Sequence, residues 1–202
     1  GSSRLKDDNG RLVLPYLSIK KSFENYLSIF TYGLTSGTTL ELREQACVAL
    51  KDTISMTETI ALKPYLSKIA GSLIRVFGDR ISNTLKENVL GALSTSLATG
   101  GVLLKAFAPQ LQTTFLKGMK DADEKVRHSA ISGLEALVPV CPASRIDTCL
   151  SELSNQALNA EEDTVMMTYL IGVHHVLIKL QAPPSEACQG KIDAALAGLP
   201  FD

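Results

Sequence analysis

The chain has 202 residues, of which 45% are hydrophobic and 5% aromatic, and its formal net charge at pH 7 is −1. The hydrophobic fraction excludes wholesale disorder, and the near-neutral charge argues against a dedicated nucleic-acid binder, which would be strongly basic. We expect no membrane association, because no uninterrupted apolar run approaches the roughly 20 residues that span a bilayer and no secretory signal segment opens the chain.

The first residues are predicted to form an extension that precedes the fold. Gly1-Ser2 looks like a cloning scar, and we expect no β-hairpin, because no segment alternates strictly between apolar and polar residues. We therefore assign 1–13 to a tag scar with an N-terminal extension.

A repeat of about 40 residues is the main signal in the sequence. In each of four segments an apolar anchor is followed by small or apolar residues four and eight positions later, which places all three on one helix face. The anchors are separated by 43, 41 and 39 residues, and they are Leu42, Leu85, Val126 and Val165. The pattern predicts four helices that each bury one face.

A second amphipathic stretch precedes each of these helices, at roughly 22–35, 64–78, 108–119 and 144–158. Helix-capping chemistry recurs just before the anchors. Thr38, Thr84 and Asp121 each stand three residues before a glutamate, which is the spacing of a capping box. Each unit is therefore predicted to be a pair of antiparallel helices.

The fold class that follows is all-α, an α-solenoid of about four repeats. A period of about 40 residues is typical of HEAT and armadillo arrays, and two helices per unit favour HEAT. We predict a HEAT array over 14–182, with repeats near 14–60, 61–100, 101–141 and 142–182. A linker and one last helix follow in 183–202.

The sequence contains no motif that carries catalysis or metal binding. It has no G-x-S-x-G, P-loop or H-E-x-x-H pattern, and the adjacent His174 and His175 would point about 100° apart on a helix. Without C-x-x-C pairs, the cysteines are expected to be reduced, mostly buried thiols of a cytoplasmic protein. They are Cys47, Cys141, Cys149 and Cys188. We expect no enzyme activity, no metal and no cofactor.

Basic residues are concentrated in the second unit. Between positions 63 and 86 a single acidic residue, Asp79, accompanies five basic ones, which are Lys63, Lys68, Arg75, Arg80 and Lys86. Lys68 and Arg75 are seven residues apart and share a helix face, while Arg80 falls in the following turn. Arginine makes bidentate contacts with carboxylates, so this strip suits an acidic partner.

Two alternatives to partner binding stay open at this point. The strip can be an ordinary solvated face, and one arginine, with Arg75 the better candidate, can instead pair with Asp79 or a helix C-terminus. If the strip does not bind, the next candidate surface lies on the second helices around Arg127. The predicted partner-binding residues are therefore Arg80, Arg75, Lys68, Lys86 and Arg127.

Two segments resemble the C-terminal part of the very large HEAT-repeat translational activators of the general amino-acid control pathway. The first is Leu73-Ile74-Arg75-Val76-Phe77-Gly78-Asp79-Arg80, and the second is Leu104-Lys105-Ala106-Phe107-Ala108-Pro109-Gln110-Leu111-Gln112-Thr113-Thr114-Phe115. The similarity runs from about Leu14 to about Leu137. The chain departs from the family at Ser72, Ala106 and Ala108, where Pro, Pro and Leu are usual.

The resemblance implies a non-catalytic binding module. Members of the family bind translating ribosomes and activate the stress kinase that phosphorylates the alpha subunit of translation initiation factor two when amino acids are scarce. This region resembles the one that docks the kinase's N-terminal RWD domain. The implied partners are that domain and, through the full-length protein, the ribosome, with no direct nucleic-acid contact by this segment.

Two other classes of protein are weighed against this one. A HEAT scaffold of another complex, of the transport-receptor or phosphatase type, would share the periodicity but not the two motifs. An enzyme would need a convergent polar cluster, which the sequence does not offer.

Overall fold

A computed structural model of the chain describes residues 20–78 and 80–198, together with 5–6, 10 and 12–13. Within these ranges the backbone is almost entirely helical. The α-helices are α1 (Lys20–Ser36), α2 (Leu40–Ser55), α3 (Thr59–Leu62), α4 (Leu66–Gly78), α5 (Asn83–Gly100), α6 (Ala108–Met119), α7 (Glu124–Leu137), α8 (Ala143–Leu158), α9 (Asp163–Leu177) and α10 (Glu186–Ala197). Short 3₁₀ segments at Gly101–Phe107 and Val138–Val140 precede α6 and α8.

The long helices form antiparallel pairs that stack side by side. Each pair has a first helix (α1, α4, α6 or α8) packed on a second helix (α2, α5, α7 or α9), and the second helices contact one another in chain order. Helix α10 packs mainly on α8, as the first helix of a fifth pair would. The predicted all-α solenoid of HEAT type is confirmed, while the exact repeat boundaries stay a prediction.

The buried face of each second helix follows the predicted spacing. The residues four and eight positions after each anchor are all buried: Ala46, Leu50, Val89, Leu93, Ala130, Leu134, Tyr169 and Val173. The anchors Leu85 and Val126 are also buried, but Leu42 and Val165 are 48% and 37% exposed, so their predicted burial is wrong. Leu42 and Val165 belong to α2 and α9, each of which has one second-helix neighbour among the described helices rather than two.

The predicted helix caps are displaced by one or two residues. The capping side chains are Thr39, Ser82 and Asp123, each of which accepts a hydrogen bond from the backbone N–H of the anchor three residues later. An N-cap must have extended backbone and reach the N–H two or three residues ahead. The prediction from the spacing to a glutamate placed the caps at Thr38, Thr84 and Asp121 instead. Those three positions are wrong, because the spacing does not report the backbone conformation that a cap needs.

The N-terminal extension contains a short β pairing that was not expected. Strand β1 (Leu5–Lys6) pairs antiparallel with β2 (Leu12–Val13), and Val13 is buried. Gly10, between the strands, has a φ of 76°, which glycine adopts without strain. The sequence Asn-Gly at 9–10 by itself indicates a hairpin turn. Strands of two residues are too short to show an alternating pattern, so the lack of alternation did not argue against a hairpin here.

The segment Asn83–Met119 is long and apolar enough, by length and composition, to cross a membrane. In the structure it is not one continuous helix, because α5 ends at Gly100 and α6 begins at Ala108. Large apolar side chains of both helices, among them Leu90 and Phe115, are fully buried in the core. Its hydrophobicity is therefore that of core helices in a helical array.

Helices α6 and α7 approach each other closely because glycine stands at their crossing. A Cβ added at Gly133 would lie 2.1 Å from the ring of Phe115, and one at Gly118 would lie 2.9 Å from the Cβ of Ala130. Phe115 is fully buried, so any shift of its ring takes place inside the packed core.

We expect Gly133→Ala to lower the free energy of unfolding by about 2 kcal/mol, because the new methyl group overpacks the α6–α7 crossing. The matched control is Gly190→Ala in α10, where an added Cβ meets nothing within 4 Å. This control should gain up to about 1 kcal/mol from helix propensity alone. Urea denaturation measures both, and equal effects of the two substitutions would contradict the close crossing.

Candidate partner-binding surface

Lys68 and Arg75 lie on α4, and both side chains are exposed. Helix α4 buries the opposite face, which includes Ile69, Leu73 and Val76, in the core. The predicted shared face is therefore present in the first-helix layer. It is held on a rigid element, because its helix packs on α5 and contacts α1 and α6.

The basic surface continues onto the next pair. Lys105 in the 3₁₀ segment and Lys117 on α6 are exposed, and the Nζ of Lys117 lies 5.7 Å from the centre of the Phe77 ring on α4. Neither α4, the segment Gly101–Phe107 nor α6 contains an aspartate or glutamate. We call the set Lys68, Arg75, Lys105 and Lys117, with Arg80, the basic face.

Arg80 is exposed in the turn between α4 and α5. Its neighbour Asp79 lies outside the described residues, and so does the alternative pairing of Arg75 with Asp79. Among the residues that the structure describes, no hydrogen bond or ion pair engages the side chains of Lys68, Arg75 or Arg80. All three side chains are exposed, those of Lys68 and Arg75 on α4 and that of Arg80 in the turn after it.

Lys86 is bound within the fold. Its Nζ lies 2.7 Å from Oδ2 of Asp121 and also donates to Oδ1 of Asn83. Burial raises the pKa of Asp121, but the hydrogen bonds from Lys86 and from the backbone N–H of Asp123, with the charges of Lys86 and Arg127, outweigh this effect, so the pKa lies below its ordinary value. Lys86 thus ties the start of α5 to the turn before α7.

Arg127 also has partners within the protein. Its Nη1 donates to the backbone carbonyls of Asp121 at 3.0 Å and Ala122 at 2.8 Å, which closes the turn between α6 and α7. Arg43 has a comparable role in the first pair, since its Nε donates to the carbonyl of Leu34. In these two units the basic residue that follows the anchor closes the turn within its own helix pair. The five predicted residues fall into an exposed group (Lys68, Arg75, Arg80) and a group engaged in the fold (Lys86, Arg127).

Lys105 and Lys117 were missed in the sequence because they belong to another repeat. The signal that could have found them is the composition of residues 88–120, which contain three lysines and no acidic residue. Packing of α6 beside α4 brings these charges next to the predicted strip, which linear spacing cannot show.

The cysteines offer no reactive group to this surface. Cys47, Cys149 and Cys188 are buried and Cys141 is half-buried, as expected. Burial raises the pKa of Cys47 and of Cys149 to about 12, which keeps these thiols protonated and unreactive at neutral pH. Among the described residues, no three His, Cys, Asp or Glu side chains form a group that could hold a metal ion.

The bond between Lys86 and Asp121 predicts a coupled effect on stability. Because the pKa of Asp121 is lowered in the folded state, its contribution is present above the ordinary aspartate pKa of about 3.9 and is lost as the pH falls through the folded value. We expect Lys86→Met to lower the free energy of unfolding by about 1 kcal/mol at pH 7.

The same substitution should cost less in an Asp121→Asn background, and the difference should shrink on acidification below about pH 4. Chemical denaturation of the four proteins of this cycle measures the coupling. Purely additive effects at pH 7 would show that the ion pair does not contribute to stability.

Comparison with known proteins gives the chain a family, although no protein-family model matches it. It is 38% identical over 172 residues to "Protein ILITYHIA" of Arabidopsis thaliana, covering 84% of this chain and 6% of that protein. It is 38% identical over 154 residues to "eIF-2-alpha kinase activator GCN1" of Saccharomyces cerevisiae, covering 76% and 6%. It is 33% identical over 190 residues to "Stalled ribosome sensor GCN1" of Homo sapiens, covering 94% and 7%.

The chain thus spans only 6 to 7% of the length of these relatives, while most of its own length is matched. The relatives confirm the resemblance that its two motifs carry. The chain belongs to the GCN1 family.

Proposed function

We propose that this segment is a non-catalytic docking module for the N-terminal RWD domain of the kinase that phosphorylates translation initiation factor two alpha. The observation that carries the proposal is the basic face, a set of exposed lysine and arginine side chains on α4, the turn after it, the segment Gly101–Phe107 and α6. Helices α4 and α6 and the segment Gly101–Phe107 contain no carboxylate. Its complement is an acidic surface on the partner. The proposed contacts are Arg75 and Arg80, with Lys68 beside them.

The rigidity of the array supports this use of the basic face. A solenoid offers an extended surface on which contacts from successive repeats add up, and the buried face of α4 fixes the spacing of Lys68 and Arg75 before any partner arrives. Binding then costs little ordering of the backbone. Lys86 and Arg127, in contrast, hold the turns in place and act on the partner through the shape of the array.

The named relatives support the wider setting. One is called an activator of the kinase and another a sensor of stalled ribosomes, and these names favour translational control over a transport-receptor or phosphatase scaffold. In this proposal the full-length protein contacts the ribosome in the cytoplasm, and this segment holds the kinase there during amino-acid starvation. Holding the kinase near its activating site raises its effective concentration without any chemistry by the segment itself.

Titration calorimetry of the chain against the isolated RWD domain tests the proposal. We expect the double variant Arg75→Ala/Arg80→Ala to weaken binding by about 2 kcal/mol, because two charged contacts to carboxylates are lost. Binding by the unaltered chain should also weaken as salt is raised.

The matched control is Lys191→Ala, which removes an exposed charge from α10, far along the chain from the basic face. This variant should bind as the unaltered chain does. All variants should keep the melting temperature, because exposed charges contribute little to stability. Unchanged affinity in the double variant, with the fold intact, would place the interface on another surface.

A further inference from the structure

We call the contact between two successive second helices a seam. The seams differ in the hydrogen bonds and ion pairs that join their two helices. Between α2 and α5, Oγ of Ser82 donates to Oε1 of Glu44 at 2.6 Å. Between α5 and α7, the ion pair of Lys86 with Asp121 is joined by a hydrogen bond from Nδ2 of Asn83 to Oδ2 of Asp123. Both links lie where the second helices begin, so these two seams are tied at that end.

The seam between α7 and α9 is open at the same end. Arg127 stands one residue after its anchor, as Lys86 does, but it turns back to the carbonyls of its own turn and does not reach the next pair. No hydrogen bond or ion pair between described residues joins the first half of α7 to α9. This seam is tied at the far end, where Glu135 contacts Nδ1 of His175 at 2.7 Å and Nζ of Lys179 at 3.0 Å.

A groove of about 570 Å³ occupies the open part of the seam. Its two walls are matching helix faces with the spacing i, i+3, i+4 and i+7, at positions 124, 127, 128 and 131 of α7 and 164, 167, 168 and 171 of α9. Ile131 is buried at its base, whereas Met167 and Ile171 are 38% and 37% exposed. The groove therefore presents apolar side chains to solvent.

The rim of the groove is acidic. Glu124 and Asp163 line it at the starts of α7 and α9, and Glu161 and Glu162 are exposed in the turn just before α9. Nη1 of Arg127 donates to two turn carbonyls while its Nε is buried without a partner among the described residues, and Nδ1 of His128 lies 3.9 Å from Oε1 of Glu124. Arg127 therefore brings one positive charge to a groove whose rim carries four carboxylates. An apolar base with carboxylates at the mouth complements an apolar side chain that has cationic neighbours.

We propose that the α7–α9 groove binds a short segment of a partner protein in which apolar side chains are flanked by lysine or arginine. Its apolar side chain contacts Met167 and Ile171, and its cationic neighbours meet Glu124 and Asp163. The site is independent of the proposed kinase docking, because the groove belongs to the second-helix layer and has the opposite charge. The chain therefore carries two binding surfaces with complementary preferences.

Methyl NMR of the whole chain, labelled at isoleucine and methionine, tests this groove with three synthetic peptides. The probe has two leucines flanked on each side by two lysines, and the comparison peptides replace the lysines with glutamates or the leucines with serines. We expect saturable shifts of Ile131, Met167 and Ile171 with the lysine–leucine peptide, and none at the exposed Ile29 and Ile178. The glutamate and serine peptides should bind at least about tenfold more weakly.

Charge-neutral variants locate the electrostatic contribution. Glu124→Gln/Asp163→Asn should weaken the lysine–leucine peptide about tenfold, whereas the matched pair Glu41→Gln/Glu186→Gln should not. Glu41 and Glu186 are likewise exposed acidic residues in first helical turns, at α2 and α10. Arg75→Ala should also leave peptide binding unchanged, which separates this site from the basic face.

Three results would overturn the groove proposal. They are the absence of saturable shifts with the lysine–leucine peptide, equal binding of all three peptides, or equal loss in the two acidic double variants while melting temperatures are unchanged.

Discussion

The close approach of helices at glycine and alanine positions is the constraint on which this structure depends. Gly118 on α6 sits where α5 and α7 meet, and a Cβ there would lie 2.9 Å from both Leu90 and Ala130. Such contacts allow a first helix to pack against two second helices at once. They also determine the position of α6 relative to α4. The basic face exists because these two helices are neighbours, so its geometry follows from the packing beneath it.

Much of the fold could be predicted from the sequence, because helical periodicity is a local property. The first helices begin and end within two residues of the predicted ranges, and the residues four and eight positions after each anchor are buried. Features that depend on neighbours or on turn geometry could not be found in this way. Leu42 and Val165 are exposed on helices that pack against one second helix each among the described helices, and the caps required the backbone conformation. The hairpin near Gly10 was passed over because its strands are two residues long.

The candidate site was predicted only in part, for the same reason. The face shared by Lys68 and Arg75 follows from their spacing on one helix, whereas Lys105 and Lys117 join them through packing between repeats. Lys86 and Arg127 have the same residue chemistry as the exposed group, but their partners are a carboxylate and two carbonyls of neighbouring turns. Acidic residues are favoured at the starts of helices because of the helix dipole. Glu41, Glu124 and Asp163 accordingly lie in the first turns of second helices, away from the basic residues of the first-helix layer.

Hydrogen–deuterium exchange of the chain, with and without the isolated RWD domain, tests the central claim most directly because it reports on every repeat at once. The account predicts added protection in α4 and in the turn that contains Arg80, with a smaller effect in α6, and no change along α7 and α9. Helix α4 is already folded and well packed without the partner. Binding should therefore slow the exchange of backbone amides on its solvent-facing side and should not fold any new structure. Protection confined to α7 and α9, or no protection anywhere, would contradict docking through the basic face.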